Sequence, residues 1–300
     1  MISVLVPIFN FEVLKLIQEL NSQCQSANIP YEIVCYDDCS NEFYRKANRS
    51  LDAEFGVSYV ELSENMGRAK IRNWLAKNAR YDNLIFLDCD SEIKNPNFIS
   101  NYIEHINTAS IIYGGRNYDP NKPEDEKKIL HWTYGRKRES LKLKSRIKIP
   151  YRSFQTNNFM VDRALILSHP FDESIKDYGY EDSLFATTLK NEGIPIKHIE
   201  NPLIHKGVEE NEDFLNKSKL AAENLAILYR DDSLTDTKMV AFHEKLKKIG
   251  FNSLLHNLIR RKKGWILKNL YSSKPNLILF DLYRYDVFIS KLNALDTSSS

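Results

Sequence analysis

The feature that most constrains the fold is a series of short apolar runs separated by helical patterns in the first 115 residues. The runs predict strands over residues 2–9, 31–36, 57–62, 84–88 and 110–115. Apolar residues at helical spacing predict helices between them, over 11–27, 43–54 and 67–79. Strands that alternate with helices favour right-handed crossovers and a mostly parallel sheet. The predicted fold is therefore α/β, with helices flanking the sheet.

Composition and charge narrow the class of protein. The chain has 300 residues, of which 42% are hydrophobic and 27% charged, which indicates a folded core rather than disorder. A net charge of only +2 argues against a nucleic-acid partner. No apolar run is long enough to span a bilayer, and the first residues lack the pattern of a signal peptide. The four cysteines form no CxxC pair, so we expect free thiols in the cytoplasm.

The fourth apolar run, LIFLDCDSEI at 84–93, ends in carboxylates. Asp88 and Asp90 lie on the same side of an extended chain, at the end of a sheet where α/β proteins bind ligands. Mg²⁺ and Mn²⁺ are commonly held by one or two carboxylates together with substrate phosphates. The glycine-rich phosphate loops GxGxxG and GxxxxGK[ST] are absent, so a bound phosphate would need a cation. A solvated loop after the strand is the alternative interpretation of one Asp-x-Asp.

The segment YGYEDSLFATTLKNEG at 178–193 is the second informative stretch. It predicts a helix that begins with Glu181 and Asp182 and ends at Gly193. Acids in a first turn complement the helix dipole, so this pattern alone requires no chemistry. However, Tyr178 and Tyr180 directly precede the acids, and His205 follows a short apolar strand. A histidine at a strand end, opposite an acidic site, could complete a metal site.

Together these segments resemble the family 2 glycosyltransferases with the GT-A fold, over roughly residues 1–207. The matching segments are SVLVPIFN, YDDCS, ENMGRAKIRNWLAKNA, FLDCDSEI and FDESIKDYGYEDSLFATTLKNEG. The last resembles a galactosyltransferase-type acceptor motif with a Gly-aromatic-Glu-Asp core. The resemblance implies a Rossmann-like, mostly parallel mixed sheet. Two departures are Cys39-Ser40 in place of Gly-Ser, and the missing Arg/Gln-x-x-Arg-Trp motif, which disfavours a processive synthase with a membrane channel.

The resemblance implies a role at each matching position. Donor-binding roles, with Asp38 accepting from the N3–H of uracil, are implied for Pro7, Phe9, Asn10, Asp38, Arg72 and Asp88. Metal-binding roles, with Mn²⁺ or Mg²⁺ as the cofactor, are implied for Asp90 and His205. Acceptor-binding roles are implied for Glu181, Tyr180 and Asn158, and the role of general base for Asp182.

The implied activity is inverting, metal-dependent transfer of a sugar from a nucleotide-diphosphate donor, with a UDP-sugar favoured, to a hydroxyl of a glycan or lipid-linked acceptor. Asp38, Asp90 and Asp182 are then expected around one cleft. Bacterial surface polysaccharide synthesis is the implied setting. Two alternatives stay open. A nucleotidyltransferase or sugar-nucleotide pyrophosphorylase would need a glycine-rich phosphate loop, which this chain lacks. A non-catalytic module would bind a sugar nucleotide without turnover.

Residues 208–300 differ in character from the predicted catalytic domain at 1–207. Helices are predicted over 211–230 and 237–270, and residues 244–274 carry a net charge of +8, which leaves −6 for the rest of the chain. Leucine and isoleucine residues between 254 and 270, with Trp265 among them, supply an apolar face. A basic amphipathic segment of this kind is typical of peripheral binding to the inner face of the cell membrane. A helical cap with solvated lysines explains the same pattern.

Overall fold

A computed structural model describes residues 1–175 and 179–297. These residues form two compact units, each with a hydrophobic core. The unit that we call the sheet unit contains residues 1–119, 139–175 and 188–207. The other, called the helical unit, contains residues 120–138, 179–187 and 208–297. The predicted boundary between residues 207 and 208 stays a prediction.

The described strands belong to the sheet unit and form two sheets. The larger has the order β3-β2-β1-β4-β8-β6-β9, and the smaller has the order β5-β10-β7. Strands β1, β2, β3 and β4 run parallel, whereas β8 is antiparallel to both of its neighbours. The strands are β1 (Ile2–Ile8), β2 (Tyr31–Asp37), β3 (Val57–Glu61), β4 (Asn83–Leu87), β5 (Ser91–Glu92), β6 (Ile111–Tyr113), β7 (Arg116–Tyr118), β8 (Asn158–Asp162), β9 (Lys197–His198) and β10 (Leu203–His205).

The helices of the first half flank the large sheet, and the longest described helices lie in the helical unit. Helix α8 begins in the helical unit and continues into the sheet unit. The helices are α1 (Leu14–Ser26), α2 (Glu42–Asn48), α3 (Arg68–Asn78), α4 (Phe98–Ile103), α5 (Ile129–Tyr134), α6 (Leu143–Ile147), α7 (Arg163–Ser168), α8 (Glu181–Asn191), α9 (Asn211–Arg230), α10 (Lys238–Lys248), α11 (Asn252–Leu270) and α12 (Leu277–Thr297).

Burial explains why the apolar runs become strands. Residues Ile2–Val6 and Leu84–Leu87 are buried, as expected for parallel strands that are covered on both faces. In β1, Leu5 is in register with Val34 of β2 and with Phe86 of β4. The carboxyl ends of these strands therefore lie along one edge of the sheet. The predicted α/β class and the mostly parallel mixed sheet are confirmed.

The helical unit differs from the prediction in one respect. The predicted helix over 237–270 is two helices, α10 and α11, separated at Ile249–Phe251. Gly250 there has φ +67, a left-handed conformation that ends α10. Among the helices that the structure describes, none combines the length and apolarity needed to cross a membrane.

Candidate active site

The ends of β1 and β2 are joined by hydrogen bonds from Asn10. Its backbone N–H donates to Ser40 Oγ at 2.8 Å, and its Oδ1 accepts from the backbone N–H of Asn41 at 2.8 Å. Asn10 and Cys39 have φ values of +50 and +63, which are strained for residues other than glycine. Such strain is often retained where a strand end serves a site. The neighbouring donor candidates are Pro7, within β1, and Phe9, whose side chain is about half exposed.

Asp38 links the end of β2 to the loop that follows β3. Its side chain is buried and accepts from the backbone N–H groups of Met66 at 2.6 Å and Gly67 at 3.1 Å. Burial raises the pKa of Asp38, and the two backbone hydrogen bonds oppose that rise. Asp38, the residue predicted to bind uracil, therefore also anchors the loop that contains Met66 and Gly67.

Arg72 and Asp88 connect α3 to the end of β4. Arg72 Nη2 donates to Asp88 Oδ1 at 2.7 Å, and Nη1 donates to the carbonyl oxygen of Arg68 at 3.2 Å. The Arg72 side chain is 4% exposed and that of Asp88 is 27% exposed. Arg72 thus holds a carboxylate that solvent can reach, and the donor-binding roles of both residues stay predictions.

Asp90 and His205 meet where β4 and β10 end. His205 Nδ1 lies 3.1 Å from Asp90 Oδ1, and the backbone N–H of Lys206 donates to the Asp90 carbonyl oxygen at 2.7 Å. A Cβ atom at position 207 would overlap the Asp90 carboxylate, which explains why glycine occupies it. Burial raises the pKa of Asp90, but the charge and hydrogen bond of His205 and the charges of Arg116 and Arg68 together outweigh burial and hold the pKa below its usual range.

The predicted site does not include Arg116, which acts electrostatically on the same carboxylate. Arg116 lies at the start of β7, its guanidinium 3.5 Å from Glu139 Oε2 and stacked over the Tyr118 ring at 5.3 Å. Its positive charge helps to lower the pKa of Asp90. A charged residue directly after the buried strand at 110–115 is the signal that could have identified it.

The Asp90–His205 pair fits a divalent cation that is completed by substrate. One carboxylate oxygen and one imidazole nitrogen already converge, and both donor types suit Mn²⁺. Burial raises the pKa of the neighbouring Cys89 thiol. Within residues 1–175 and 179–297, no three His, Cys, Asp or Glu side chains form a complete metal-binding cluster. The remaining ligands would have to be water and phosphate oxygens.

Asn158, for which an acceptor-binding role is predicted, makes several buried side-chain hydrogen bonds. Its side chain is fully buried in β8. The amide accepts from Tyr102 Oη at 2.7 Å and donates to the carbonyl oxygens of Gly115 and Asn201 at 2.9 and 2.8 Å. These contacts use both ends of a buried amide and tie β8 to α4 and to the segments around Gly115 and Asn201. The acceptor-binding role of Asn158 stays a prediction.

The other acceptor candidates belong to the helical unit. Tyr180 has φ +74 and its hydroxyl accepts from Arg284 Nη2 at 2.9 Å. Glu181 is buried and Asp182 is partly exposed, both in the first turn of α8. Asp182 Oδ1 accepts from the backbone N–H of Ser183 at 2.7 Å, which holds the carboxylate at the helix start. Tyr178 lies outside the described residues, and the expected convergence of Asp38, Asp90 and Asp182 stays a prediction.

An open cleft of about 450 Å³ lies between α3 and the loop that follows β3. Leu62, Met66 and Trp74 supply its apolar lining, and Lys70 and Lys77 are among its charged residues. The residues that line it include none of the predicted donor or metal ligands. The cleft is therefore separate from the Asp90–His205 pair.

Sequence comparisons give one family and two distant relatives. The family model for glycosyl transferase family 2 matches residues 3–166. The chain is 23% identical over 287 residues to a chondroitin synthase of Escherichia coli, covering 83% of this chain and 40% of that protein. It is 24% identical over 263 residues to the uncharacterized glycosyltransferase YfnE of Bacillus subtilis strain 168, covering 69% of this chain and 67% of that protein. The chain thus spans less than half the length of the chondroitin synthase.

Solved structures with a similar fold include those of two proteins, PcManGT and TarS. The mannosyltransferase PcManGT of Pyrobaculum calidifontis, in complex with GDP-Man and Mn²⁺, gives a TM-score of 0.59 at 14% identity, covering 97% of this chain and 86% of its own. Residues 1–349 of S. aureus TarS give 0.52 at 18% identity, covering 99% and 91%. The same TarS fragment in complex with UDP-GlcNAc gives 0.51. These similarities confirm the predicted GT-A fold.

Proposed function

Because the chain belongs to glycosyl transferase family 2, whose model matches residues 3–166, we propose that it transfers a sugar from a nucleotide-diphosphate donor to a hydroxyl of a glycan or lipid-linked acceptor. The observation that carries this proposal is the set of polar groups at the strand ends, each held by its own hydrogen bonds: Asn10, Asp38, Asp88, Asp90 and His205. The family disfavours both alternatives, a nucleotidyltransferase and a non-catalytic binding module.

The donor proposal depends on Asp38 and on the neighbouring strand ends. Each carboxylate oxygen has two lone pairs, so the backbone bonds from Met66 and Gly67 leave capacity for the N3–H of uracil. Phe9, 51% exposed beside the end of β1, offers an aromatic surface to the nucleotide. A UDP-sugar is therefore our first candidate. GDP-sugars belong in the test, since PcManGT was solved with GDP-Man and TarS with UDP-GlcNAc on the same fold.

Asp90 and His205 are the residues that would hold Mn²⁺ or Mg²⁺. When bound, the ion would supply Lewis-acid stabilisation of the negative charge that develops on the diphosphate leaving group. Arg116 adds a fixed positive charge near Asp90. The carboxylate stays ionised at neutral pH because the pKa of Asp90 is held low, as a metal ligand requires.

Asp182 is the proposed general base. An acceptor hydroxyl is a weak nucleophile until a positioned group takes its proton. The carboxylate would accept that proton while the hydroxyl oxygen attacks the anomeric carbon from the face opposite the leaving group. One displacement inverts the configuration and needs no second catalytic carboxylate. Glu181 and Tyr180, next to it in the chain, are the proposed acceptor-binding residues.

The proposed setting is the synthesis of a bacterial surface polysaccharide, from the cytoplasmic side. The family and the relative named as a chondroitin synthase support this setting. The acceptor would then be the growing glycan or its lipid-linked precursor.

The activity is tested by mixing the chain with panels of UDP- and GDP-sugars and measuring release of nucleoside diphosphate, with Mn²⁺, with Mg²⁺ or with EDTA. We expect release from at least one UDP-sugar and its loss in EDTA. Asp182→Asn should lower the transfer rate at least ~100-fold and change the nucleotide dissociation constant less than ~3-fold, since a base acts mainly on the chemical step.

Asp213→Asn is the matched control, because Asp213 is an exposed first-turn carboxylate of α9. It removes the same charge from a helix start and should leave transfer unchanged. Parallel loss of nucleotide affinity and transfer in Asp182→Asn would contradict its assignment as base. Absence of release from every sugar nucleotide would contradict the proposed activity.

A further inference from the structure

Helix α11 carries apolar residues on two opposite faces. Ile259, Ile266 and Leu270 are buried and pack in the core of the helical unit, and the buried His256 lies 3.2 Å from Asp286 on the same side. Three further side chains remain largely exposed, at 53%, 46% and 60%: Leu254, Leu258 and Trp265. At 3.6 residues per turn these three lie within about 40° of one another, roughly opposite the buried face. We call them the outer stripe.

The charges of α11 surround this outer stripe. The helix contains five Lys or Arg residues and no Asp or Glu. Arg261 lies about 20° beyond one edge of the stripe, and Lys268 and Lys262 lie about 40° beyond that edge and the opposite edge. Among the described residues these three form no ion pair, whereas Lys263 pairs with the buried Asp286 at 3.5 Å. The exposed side of α11 thus combines an apolar stripe with cations that form no ion pair within the described part of the chain.

The outer stripe is long enough to form an extended binding surface. From Leu254 to Trp265 it is about 17 Å long at 1.5 Å per residue. Phe251, 40% exposed in the turn before α11, continues it, and α10 ends with Lys245, Lys247 and Lys248. Packing within the helical unit accounts for the inner face only. The helical-cap interpretation therefore explains half of this helix and leaves the outer stripe unexplained.

We propose that the outer stripe of α11 binds the surface of an anionic lipid bilayer, with the helix lying in the plane of the interface. Leucine side chains enter the acyl boundary, the indole of Trp265 lies at headgroup level, and Arg261, Lys262 and Lys268 contact anionic headgroups. A polyanion such as nucleic acid would use the charges but would leave three large apolar side chains in water. The binding is independent of the proposed sugar transfer and is measured without donor or acceptor.

The test is flotation of the full chain with vesicles of neutral phosphatidylcholine and with vesicles that contain 30% phosphatidylglycerol. We expect binding to the anionic vesicles alone, weakening as salt rises. Arg261→Glu with Lys262→Glu should lower partitioning at least ~30-fold, since each basic residue near such a surface contributes roughly fivefold. Trp265→Glu should lower it at least ~10-fold, because it replaces an inserted ring with a charge.

Matched controls separate this face from general effects of charge. Lys15→Glu with Lys46→Glu reverses the charge of the same number of exposed basic residues in the sheet unit, and Phe55→Glu changes an 80% exposed aromatic there. Both should float like the wild type, with unchanged circular dichroism. Absence of wild-type flotation, equal losses in the controls, or binding to heparin but not to vesicles would overturn the proposal.

Discussion

At the residue scale, His198 shows how neighbours determine the chemistry of a buried side chain. Its Nε2 lies 3.0 Å from the carbonyl oxygen of Pro150, and its Nδ1 lies 3.3 Å from Arg146 Nη1. These partners favour a neutral ring with the proton on Nε2, since Nδ1 accepts from the guanidinium. Burial, together with the charge of Arg146, lowers the pKa of His198 to about 4.

This histidine makes stability depend on pH. The unfolded chain protonates His198 near pH 6.5, whereas the folded chain resists protonation down to about pH 4. The free energy of unfolding should therefore fall as pH decreases through this window, by on the order of 2 kcal/mol from this group, after allowance for partial solvation. Urea unfolding of the wild type and of His198→Gln, between pH 7 and 4, measures the contribution.

His198→Gln should flatten the slope of unfolding free energy against pH, even if its stability at pH 7 is lower. His169→Gln removes another imidazole of the sheet unit and serves as the control. Two other titratable groups lie nearby: Tyr113, whose ring contacts His198, and Glu200, 3.9 Å from Arg146. Both variants retain them. Identical slopes for wild type and His198→Gln would contradict the assignment.

Single residues also show how far a sequence can predict a site. Asp88 and Asp90 are recognisable as candidates in the sequence because they directly follow a buried apolar run, and β4 places them at the end of the sheet where α/β proteins bind ligands. The burial of Asn158 depends on Tyr102 and Asn201, which are 56 and 43 residues away in the chain. No local pattern encodes such contacts, so a buried structural amide and a ligand-binding amide look alike in sequence.

At the scale of elements, periodicity predicted the parallel half of the sheet and missed what depends on distant pairing. Strands β1 and β4 are apolar runs covered on both faces, and β2 and β3 are short runs rich in valine, isoleucine and tyrosine, which makes these strands visible in sequence. The position of β8 between β4 and β6 is set by antiparallel pairing with strands far away in the chain. The break between α10 and α11 was missed because one glycine inside a long helical pattern is usually tolerated.

Two glycines of the helical unit give a paired test of this break. Gly250 has φ +67 and open space around a would-be Cβ, so Gly250→Ala strains only the backbone and should cost about 1 kcal/mol. Gly264 lies inside α11 with equally open space, so Gly264→Ala should stabilise by about 0.5–1 kcal/mol. Chemical denaturation followed by circular dichroism measures both, and two shifts of the same sign would contradict the assignment.

At the scale of the whole molecule, the proposed donor site and the basic helices belong to different units. Asp38, Asp88, Asp90 and His205 all lie in the sheet unit, whereas the helical unit has its own core around Phe280 and Phe288. A ligand that binds only one folded unit stabilises that unit by mass action. Nucleotide binding should therefore affect the unfolding of the two units unequally.

Tryptophan positions make this measurable. Trp74 lies in the sheet unit, and Trp132 and Trp265 lie in the helical unit. A variant with Trp132→Phe and Trp265→Phe reports on the sheet unit by fluorescence, and Trp74→Phe reports on the helical unit. UDP with Mn²⁺ at ~100 times its dissociation constant adds about 2.7 kcal/mol to the folded state that binds it. We expect a higher midpoint of thermal unfolding from Trp74, and a smaller rise or none from the other pair.

Asp90→Asn in each background supplies the control, because it removes a proposed metal ligand within the sheet unit. It should abolish the part of the shift that requires Mn²⁺ and retain what UDP alone contributes through Asp38. A shift seen only by Trp132 and Trp265 would place the nucleotide in the helical unit and contradict the donor site. Equal shifts from both reporters would mean that the units unfold as one cooperative body or that both bind the nucleotide, which contradicts this prediction.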